Sequence, residues 1–308
     1  SYTMKRSAWM LAVGSLFVSK AFALNILLSN DDGYQHPNIR ALYTELKAQG
    51  HTVRIAAPQA DQSARGGAFF FGREVTVGHD DDPAYPDSYY ISTTENGVCQ
   101  SPECAGKDVQ IEISGTPVMA LLMGLKKVMP HPDLVIVGPN PGNNLGAINS
   151  ASGTFNVASV AVQAGIPALA VSTDLKEADP QRAAQLVAKL VNALDQHRQP
   201  DGALLPKGLG LNINLPKDPR IKGVKLTRIG SYVGFEAVYT DDLKQFKLPG
   251  KPGIGFQYSP AATAEQQKQD EAVWLNKGYL TISPFSGLPE SINAGPALQK
   301  QLAREVQP

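Results

Sequence analysis

The chain alternates between short apolar runs and segments in which apolar residues recur at helical spacing. Residues 24–29 form an apolar run that is typical of a buried strand, and Ile39, Leu42 and Leu46 then recur three or four positions apart. A second apolar run follows over 52–57. The order strand, helix, strand predicts two parallel strands joined by a right-handed crossover.

The alternation continues through residue 197. It predicts strands over 109–114, 134–137 and 166–172, and helices over 118–129, 155–164 and 181–197. Residues 78–107 show no sustained period, and we interpret them as a loop or hairpin excursion. The whole pattern predicts an α/β fold with a mostly parallel sheet.

The first predicted strand ends abruptly in Asn30, Asp31, Asp32 and Gly33. In an open α/β sheet, the carboxyl ends of the strands form the edge where ligands bind. Two carboxylates at that edge suit a divalent cation, and a metal-oxygen site suits phosphate chemistry. Because turns also favour Asn, Asp and Gly, a simple turn is the competing interpretation.

Composition limits the classes of partner. The sequence has 308 residues, of which 43% are hydrophobic, and this is ample for an enzyme-sized core. Its 28 basic and 28 acidic residues balance each other. Near-neutrality argues against a nucleic acid polymer or an anionic membrane as the main partner.

The N-terminal segment has the features of a secretory signal peptide. Residues 1–23 contain a basic start, an apolar middle over 8–18 and small residues up to Ala23. The apolar middle is too short to anchor the protein in a membrane, so we expect cleavage after Ala23 and a periplasmic or secreted protein. Cys99 and Cys104 agree with export, since two nearby cysteines predict a local disulfide more readily than a metal site.

Three polar segments supply further candidate groups. The segment 59–67 contains Ser63 and follows the second strand, which places it at the same sheet edge as the acidic pair. The segment 138–146 is rich in Gly, Pro and Asn and supplies Asn140, but it matches neither common nucleotide-binding fingerprint. Residues 152–154 precede a helix, where they form either an anion site or a plain N-cap.

Together these segments resemble the SurE-type survival proteins, a family of metal-dependent 5'-nucleotidases. The segments that carry the resemblance are 26–33, 57–63, 114–117, 132–146, 152–154 and 165–168, with weaker similarity at 211–216, 227–230 and 277–284. The resemblance implies a Rossmann-like three-layer α/β/α fold with a mostly parallel sheet and a C-terminal extension with a β-hairpin. It also implies a homodimer or homotetramer.

The resemblance further implies one divalent cation, held by Asp31, Asp32, Ser63 and Asn140. An all-oxygen ligand set favours Mg²⁺, Mn²⁺ or Ca²⁺. Asp31 and Asp32 are the implied catalytic residues, with Asp32 orienting or deprotonating the attacking water. The residues implied around the phosphate of a nucleoside monophosphate are Asn30, Asn144, Ser152, Gly153 and Thr154.

The chain departs from the family pattern near these residues. The usual Ser/His-containing continuation after Ser63 is replaced by 64–67, in which Arg65 is either a phosphate contact or a surface arginine. Val-Gly-Pro-Asn replaces Ser-Gly-Ile-Asn over 137–140, and an acidic residue is missing over 118–120. The predicted metal ligands are unchanged, so we expect the departures to affect substrate preference. His36 lies near the acidic loop, either on the surface or at the substrate rim.

We therefore divide the chain into a signal peptide over 1–23, an α/β catalytic core over 24–175, and a remainder over 176–308 that completes the sheet and supplies an oligomerisation extension. The predicted function is exported, metal-dependent hydrolysis of nucleoside 5'- or 3'-monophosphates. The alternatives are a broad acid phosphatase or exopolyphosphatase and, from a different class, a non-catalytic periplasmic ligand-binding protein.

Overall fold

The structure is a computed structural model that describes residues 23–306, so the predicted signal peptide lies almost wholly outside the described residues. The strands are β1 (Asn25–Ser29), β2 (Thr52–Pro58), β3 (Val75–His79), β4 (Ser88–Val98), β5 (Asp108–Ser114), β6 (Leu134–Pro141), β7 (Ala168–Thr173), β8 (Leu209–Asn214), β9 (Val224–Leu226), β10 (Phe235–Thr240), β11 (Gly253–Tyr258) and β12 (Leu280–Ser286). The α-helices are α1 (Pro37–Ala48), α2 (Pro117–Met123), α3 (Gly153–Gln163), α4 (Pro180–Gln196), α5 (Gln266–Gln269), α6 (Glu271–Asn276) and α7 (Pro296–Glu305).

The main sheet is mostly parallel. Strands β4, β2, β1, β6, β7 and β8 lie side by side in that order and run in the same direction. Antiparallel strands flank this part, since β3 and β5 pair with β4, and β12 pairs with β8. Strand β9 completes the sheet beside β12. The predicted α/β fold with a mostly parallel sheet is therefore confirmed.

Helices cover both faces of the sheet. Successive residues of β1 point to opposite faces, so that Leu28 joins the core under α1 and α4, and Leu27 joins the core under α2 and α3. Leu42 of α1 and Ala158 of α3 are completely buried in these two cores. The starts of α1 and α3 consequently approach the carboxyl end of β1 from opposite faces of the sheet.

The predicted helix over 118–129 is shorter than expected. Helix α2 ends at Met123, and a π-helical turn over Gly124–Val128 continues it. A Cβ atom at Gly124 would lie 2.6 Å from the Cβ of Ala56 in β2. Glycine at this position therefore allows the helix end to pack directly on the sheet.

The interpretation of 78–107 as a loop or hairpin excursion is only partly right, because β3 and most of β4 are strands of the main sheet. Asp80, which belongs to an acidic run, is buried, and its Oδ2 lies 2.8 Å from the guanidinium of Arg40. A disulfide joins Cys99 and Cys104 in the connection between β4 and β5, as their spacing predicts.

The part of the chain after residue 176 contributes β8, β9 and β12 to the main sheet. Strands β10 and β11 form a separate antiparallel hairpin. One face of this hairpin is apolar and exposed, with Ile254, Phe256 and Tyr258 on it. Among the helices of residues 23–306, none combines the length and apolar character required to cross a bilayer.

Candidate active site

An acidic cavity of about 510 Å³ lies at the carboxyl edge of the sheet. The ends of β1, β2 and β6 bring their following residues to this edge. Six of the residues predicted from the sequence line the cavity, namely Asp31, Asp32, Ser63, Asn140, Asn144 and Ser152. The structure therefore brings together all four predicted metal ligands.

Asp31 is buried directly after β1 and is held by the start of α3. Thr154 donates a hydrogen bond from its hydroxyl to Oδ1 of Asp31 at 3.4 Å. A Cβ atom at Gly153 would lie 2.8 Å from the Cβ of Asp31, so glycine permits this close approach. Burial raises the pKa of Asp31.

Asp32 is the strongly perturbed carboxyl group of the cavity. Its Oδ2 is buried and has no hydrogen-bond partner among residues 23–306. Burial, together with the negative charges of Asp31 and Asp61, raises the pKa of Asp32 to about 8. The surroundings of Asp32 therefore favour a protonated carboxyl group, or a carboxylate with a bound cation, over an unpaired carboxylate.

Asp61 is a cavity residue that the sequence analysis did not select. Its Oδ1 accepts hydrogen bonds from the backbone N–H of Ser63 at 2.9 Å and from the Ser63 hydroxyl at 2.6 Å. The Asp-x-Ser spacing that favours this local turn was a usable signal. Because the Ser63 hydroxyl donates its hydrogen to Asp61, its oxygen lone pairs are free for a cation.

Asn140 is the penultimate residue of β6 and presents an amide oxygen. Its Nδ2 donates to the carbonyl of Gly142 at 2.8 Å, which leaves Oδ1 as the free acceptor. The preceding Gly138–Pro139 bond is cis, and Gly138 has a φ of 114°. A Cβ at Gly138 would lie 2.2 Å from the Val171 carbonyl oxygen, so only glycine fits beside β7.

Hydrogen bonds to the ends of β7 and β8 hold Asn144 in place. Its Nδ2 donates to the Ser172 hydroxyl at 2.9 Å, and its backbone N–H donates to Asn214 Oδ1 at 3.1 Å. Its carbonyl accepts from Asn212 at 3.2 Å, and Asn212 in turn donates to Glu271 at 2.9 Å. A buried polar network that reaches α6 therefore holds this part of the cavity wall.

The start of α3 combines both interpretations of residues 152–154. Ser152 is the N-cap, since its hydroxyl accepts from the N–H of Phe155 at 3.1 Å. The first N–H groups of a helix have no partner within the helix and carry partial positive charge. Ser152 lines the cavity. This helix start is therefore an N-cap that also faces the acidic pair.

Three predicted substrate-binding residues contact their neighbours and are not among the residues that line the cavity, namely Asn30, Gly153 and Thr154. Both amide atoms of Asn30 bond to the backbone of Gly33, with Oδ1 accepting at 3.2 Å and Nδ2 donating at 2.7 Å. Thr154 is completely buried against Asp31. Arg65 is exposed and also lies outside the residues that line the cavity.

The lining also includes two aromatic side chains. His36 borders it at the start of α1, and Phe256 reaches it from the hairpin. Phe256 is more than two hundred positions away from the acidic pair, so no local pattern connects them. Within residues 23–306, no group of three or more His, Cys, Asp or Glu side chains forms a metal cluster. The predicted ligand set depends on two carboxylates, a hydroxyl and an amide.

The fold and the cavity define an α/β protein with an oxygen-rich acidic site at the carboxyl edge of its sheet. The family model described as Survival protein SurE matches residues 26–234. This chain belongs to the survival protein SurE family, which confirms the resemblance carried by its motifs.

Relatives match over most of their length. The chain is 32% identical to the 5'/3'-nucleotidase SurE of Photorhabdus laumondii over 268 residues, covering 85% of this chain and 89% of the relative. It is 33% identical to the 5'-nucleotidase SurE of Desulfatibacillum aliphaticivorans over 265 residues, covering 85% and 91%. The crystal structure of the SurE protein from Aquifex aeolicus has the same fold, with a TM-score of 0.66, 24% identity, and coverage of 92% of this chain and 99% of that one.

Proposed function

We propose that this protein hydrolyses nucleoside 5'- or 3'-monophosphates to nucleoside and phosphate. The names of the relatives support an enzyme that cleaves phosphate monoesters. The observation that carries the proposal is the cavity itself, in which the acidic end of β1 faces the start of α3. Carboxylates that hold a cation beside a helix start that attracts anions form a site for a phosphate ester.

A divalent cation fits the residues of the cavity. Oδ2 of Asp32 is buried without a partner among the described residues, and the negative charges of Asp31 and Asp61 raise the pKa of Asp32. Asp31, Asp32, Ser63 and Asn140 would hold the ion through oxygen atoms, which favours Mg²⁺, Mn²⁺ or Ca²⁺. When bound, such an ion neutralises phosphate charge and lowers the pKa of water.

The protein groups divide the remaining tasks. The N–H groups at the start of α3, beside Ser152, receive the phosphate oxygens. Asn144 completes the wall and is held in place by its network. Thr154 fixes the orientation of Asp31. Asp32, whose Oδ2 has no protein partner among the described residues, accepts a hydrogen from the attacking water and orients it.

The test is a phosphate-release screen of the purified protein. The substrates are nucleoside 5'- and 3'-monophosphates, a chromogenic phosphate ester and polyphosphate, each with EDTA and with Mg²⁺, Mn²⁺ or Ca²⁺ restored. Metal-dependent turnover of the nucleotides supports the proposal. Preference for polyphosphate would favour an exopolyphosphatase, and no turnover under any condition would favour a ligand-binding protein.

The variant Asp32→Asn distinguishes an effect on catalysis from an effect on folding. We expect at least a roughly 100-fold loss of kcat, since positioned acid-base groups typically contribute that much. The melting temperature in EDTA should not fall, because the variant removes a buried carboxyl group that lacks a partner. Asp81→Asn makes the same change at an exposed aspartate and should leave both values unchanged. Wild-type activity of the Asp32 variant would refute the role of this residue.

We also propose that the protein is exported, with cleavage after Ala23. The disulfide between Cys99 and Cys104 supports an oxidising compartment. Leu24 is buried and β1 begins at Asn25, so cleavage at this point would leave the first strand intact. Mass spectrometry of the protein recovered from periplasmic and medium fractions should give a chain that starts at Leu24. A full-length chain confined to the cytoplasm would contradict export.

A homodimer or homotetramer is the proposed assembly. The exposed apolar residues of the hairpin support it, together with Leu298 and Leu302 on α7. Light scattering of the purified protein should give two or four times the monomer mass. Replacing Phe256 and Tyr258 with serine should shift the mass downward if the hairpin forms the interface, and a monomeric wild-type protein would refute the assembly.

A further inference from the structure

His36 lines the cavity, and the proposed mechanism leaves it unused. It is the N-cap of α1, and its Nδ1 accepts a hydrogen bond from the backbone N–H of Asn38 at 3.1 Å. The backbone N–H of His36 donates to the carbonyl of Gly33 at 3.2 Å. Asn38 Nδ2 donates to the carbonyl of Pro139 at 3.1 Å, which ties this helix start to the strand end that carries Asn140. The ring is thereby held beside the predicted ligands.

The cap bond determines which ring nitrogen carries the hydrogen. A nitrogen that accepts a hydrogen bond has no hydrogen of its own, so the neutral ring is protonated at Nε2. Burial lowers the pKa of His36, while the charge of Asp61 opposes this effect. Nε2 has no hydrogen-bond partner among residues 23–306. The cavity therefore contains an uncharged N–H donor with a fixed orientation.

His36 and Ser152 border the acidic pair from opposite sides. Helix α1 packs on one face of the sheet and α3 on the other, and each residue is the N-cap of its helix. A phosphate seated at the start of α3 presents the other side of the ester toward α1. His36 is the ring-bearing donor that lines the cavity on that side.

We propose that His36 contacts the substrate and donates a hydrogen bond from Nε2 to an oxygen of the phosphate ester on the α1 side of the cavity. This inference rests on the proposed function and adds a binding group to the same site. The ring transfers no proton, because a neutral imidazole that gave up its hydrogen would become an anion. Its role is recognition of the ester oxygen by an uncharged donor among carboxylates.

Two variants of His36 test its N-cap hydrogen bond and its Nε2 donor separately. His36→Asn keeps an acceptor at the position of Nδ1 and so preserves the cap, but it removes the Nε2 donor. His36→Gln places an amide N–H near the position of Nε2 and weakens the cap. His51→Asn is the matched control, because Nδ1 of His51 also accepts from a backbone N–H, that of Leu24 at 3.1 Å, at the opposite edge of the sheet.

We expect His36→Asn to lower kcat/KM for a nucleoside monophosphate by about 10- to 100-fold, the effect of one hydrogen bond to a charged group. Its melting temperature, and its affinity for Mn²⁺ alone measured by calorimetry, should match the wild type. His36→Gln should retain more activity despite lower stability, and His51→Asn should retain full activity.

Three results would overturn the inference while leaving the proposed function intact. These are unchanged kcat/KM in His36→Asn, an equal loss in His36→Gln, and Mn²⁺ affinity in His36→Asn that falls by more than about tenfold, which would make His36 a metal ligand. A wild-type protein that is inactive with every metal and substrate would instead overturn the proposed function, and the His36 assignment with it.

Discussion

Glu271 is a completely buried carboxyl group beneath the candidate site, and its removal should change how stability depends on pH. Asn212 donates to both of its oxygens, at 2.9 and 3.1 Å, and the N–H of Gly146 lies 3.4 Å from Oε2. Burial raises the pKa of Glu271 to about 7, although hydrogen bonds from Asn212 and Ser283 lower it in part. The perturbation that tests this environment is Glu271→Gln.

The direction in which stability changes with pH follows from the pKa values of Glu271 in the folded and unfolded states. Because the pKa of Glu271 in the folded protein lies above its ordinary value of 4.5, the folded state binds the additional proton between pH 4.5 and about 7. The contribution of this proton to stability is complete below pH 4.5 and is lost as the pH rises through 7. At about 1.4 kcal/mol for each pH unit, the wild type loses about 3 kcal/mol over this range.

The glutamine variant lacks this pH-dependent loss. It offers one acceptor oxygen in place of two, which costs about 1 kcal/mol through a lost hydrogen bond from Asn212. We therefore expect Glu271→Gln to be about 1 kcal/mol less stable than the wild type at about pH 4 and about 2 kcal/mol more stable at about pH 8. The difference between the two proteins changes sign with pH.

Urea unfolding followed by circular dichroism, in EDTA and at one protein concentration, measures both differences. The comparison cancels the titration of groups that the two proteins share. Glu74→Gln, at an exposed glutamate, is the control and should give a difference that does not depend on pH. If the curves of Glu271→Gln and the wild type stay parallel between the two pH values, the reasoning about burial is refuted.

Three other changes test local features. Gly153→Ala puts a Cβ 2.8 Å from the Cβ of Asp31, so we expect kcat to fall by about 10-fold or more in the phosphate-release assay with the fold retained by circular dichroism. Replacing Cys99 and Cys104 with serine should lower the free energy of unfolding by about 2 kcal/mol, measured with urea, and leave kcat/KM unchanged. Arg65→Ala should leave KM for a nucleotide within about twofold, since Arg65 is exposed and surface substitutions have small effects.

The sequence pattern was sufficient for the elements around the acidic pair. After the exposed Asn25, β1 is buried on both faces between helices, and strands of that kind appear in a sequence as continuous apolar runs. The following helix shows its buried face at 39, 42 and 46, and these three residues are completely buried. Parallel topology then places Asp31, Ser63 and Asn140 at one edge without any knowledge of distances.

The rest of the cavity depends on contacts between distant parts of the chain. Phe256 reaches the wall from a hairpin, and Glu271 is buried by the loop over 143–146 and by β8. The alternation of Ile254, Phe256 and Tyr258 predicts a strand face but not its contact with the cavity, and a glutamate such as Glu271 is ordinarily expected at the surface. Asp80 belongs to a run of three aspartates, which would ordinarily be exposed, and it is buried because its partner Arg40 lies on another element.

The chemistry of the supporting residues explains why so much of this wall consists of asparagine. Asn144, Asn212 and Asn214 fix the loop by donating to and accepting from backbone groups, and they add no charge near the acidic pair. A lysine or arginine in these positions would compete with a cation for the carboxylates of Asp31 and Asp32. Neutral amides supply the hydrogen bonds that a buried loop needs and leave the negative charge available for a metal ion.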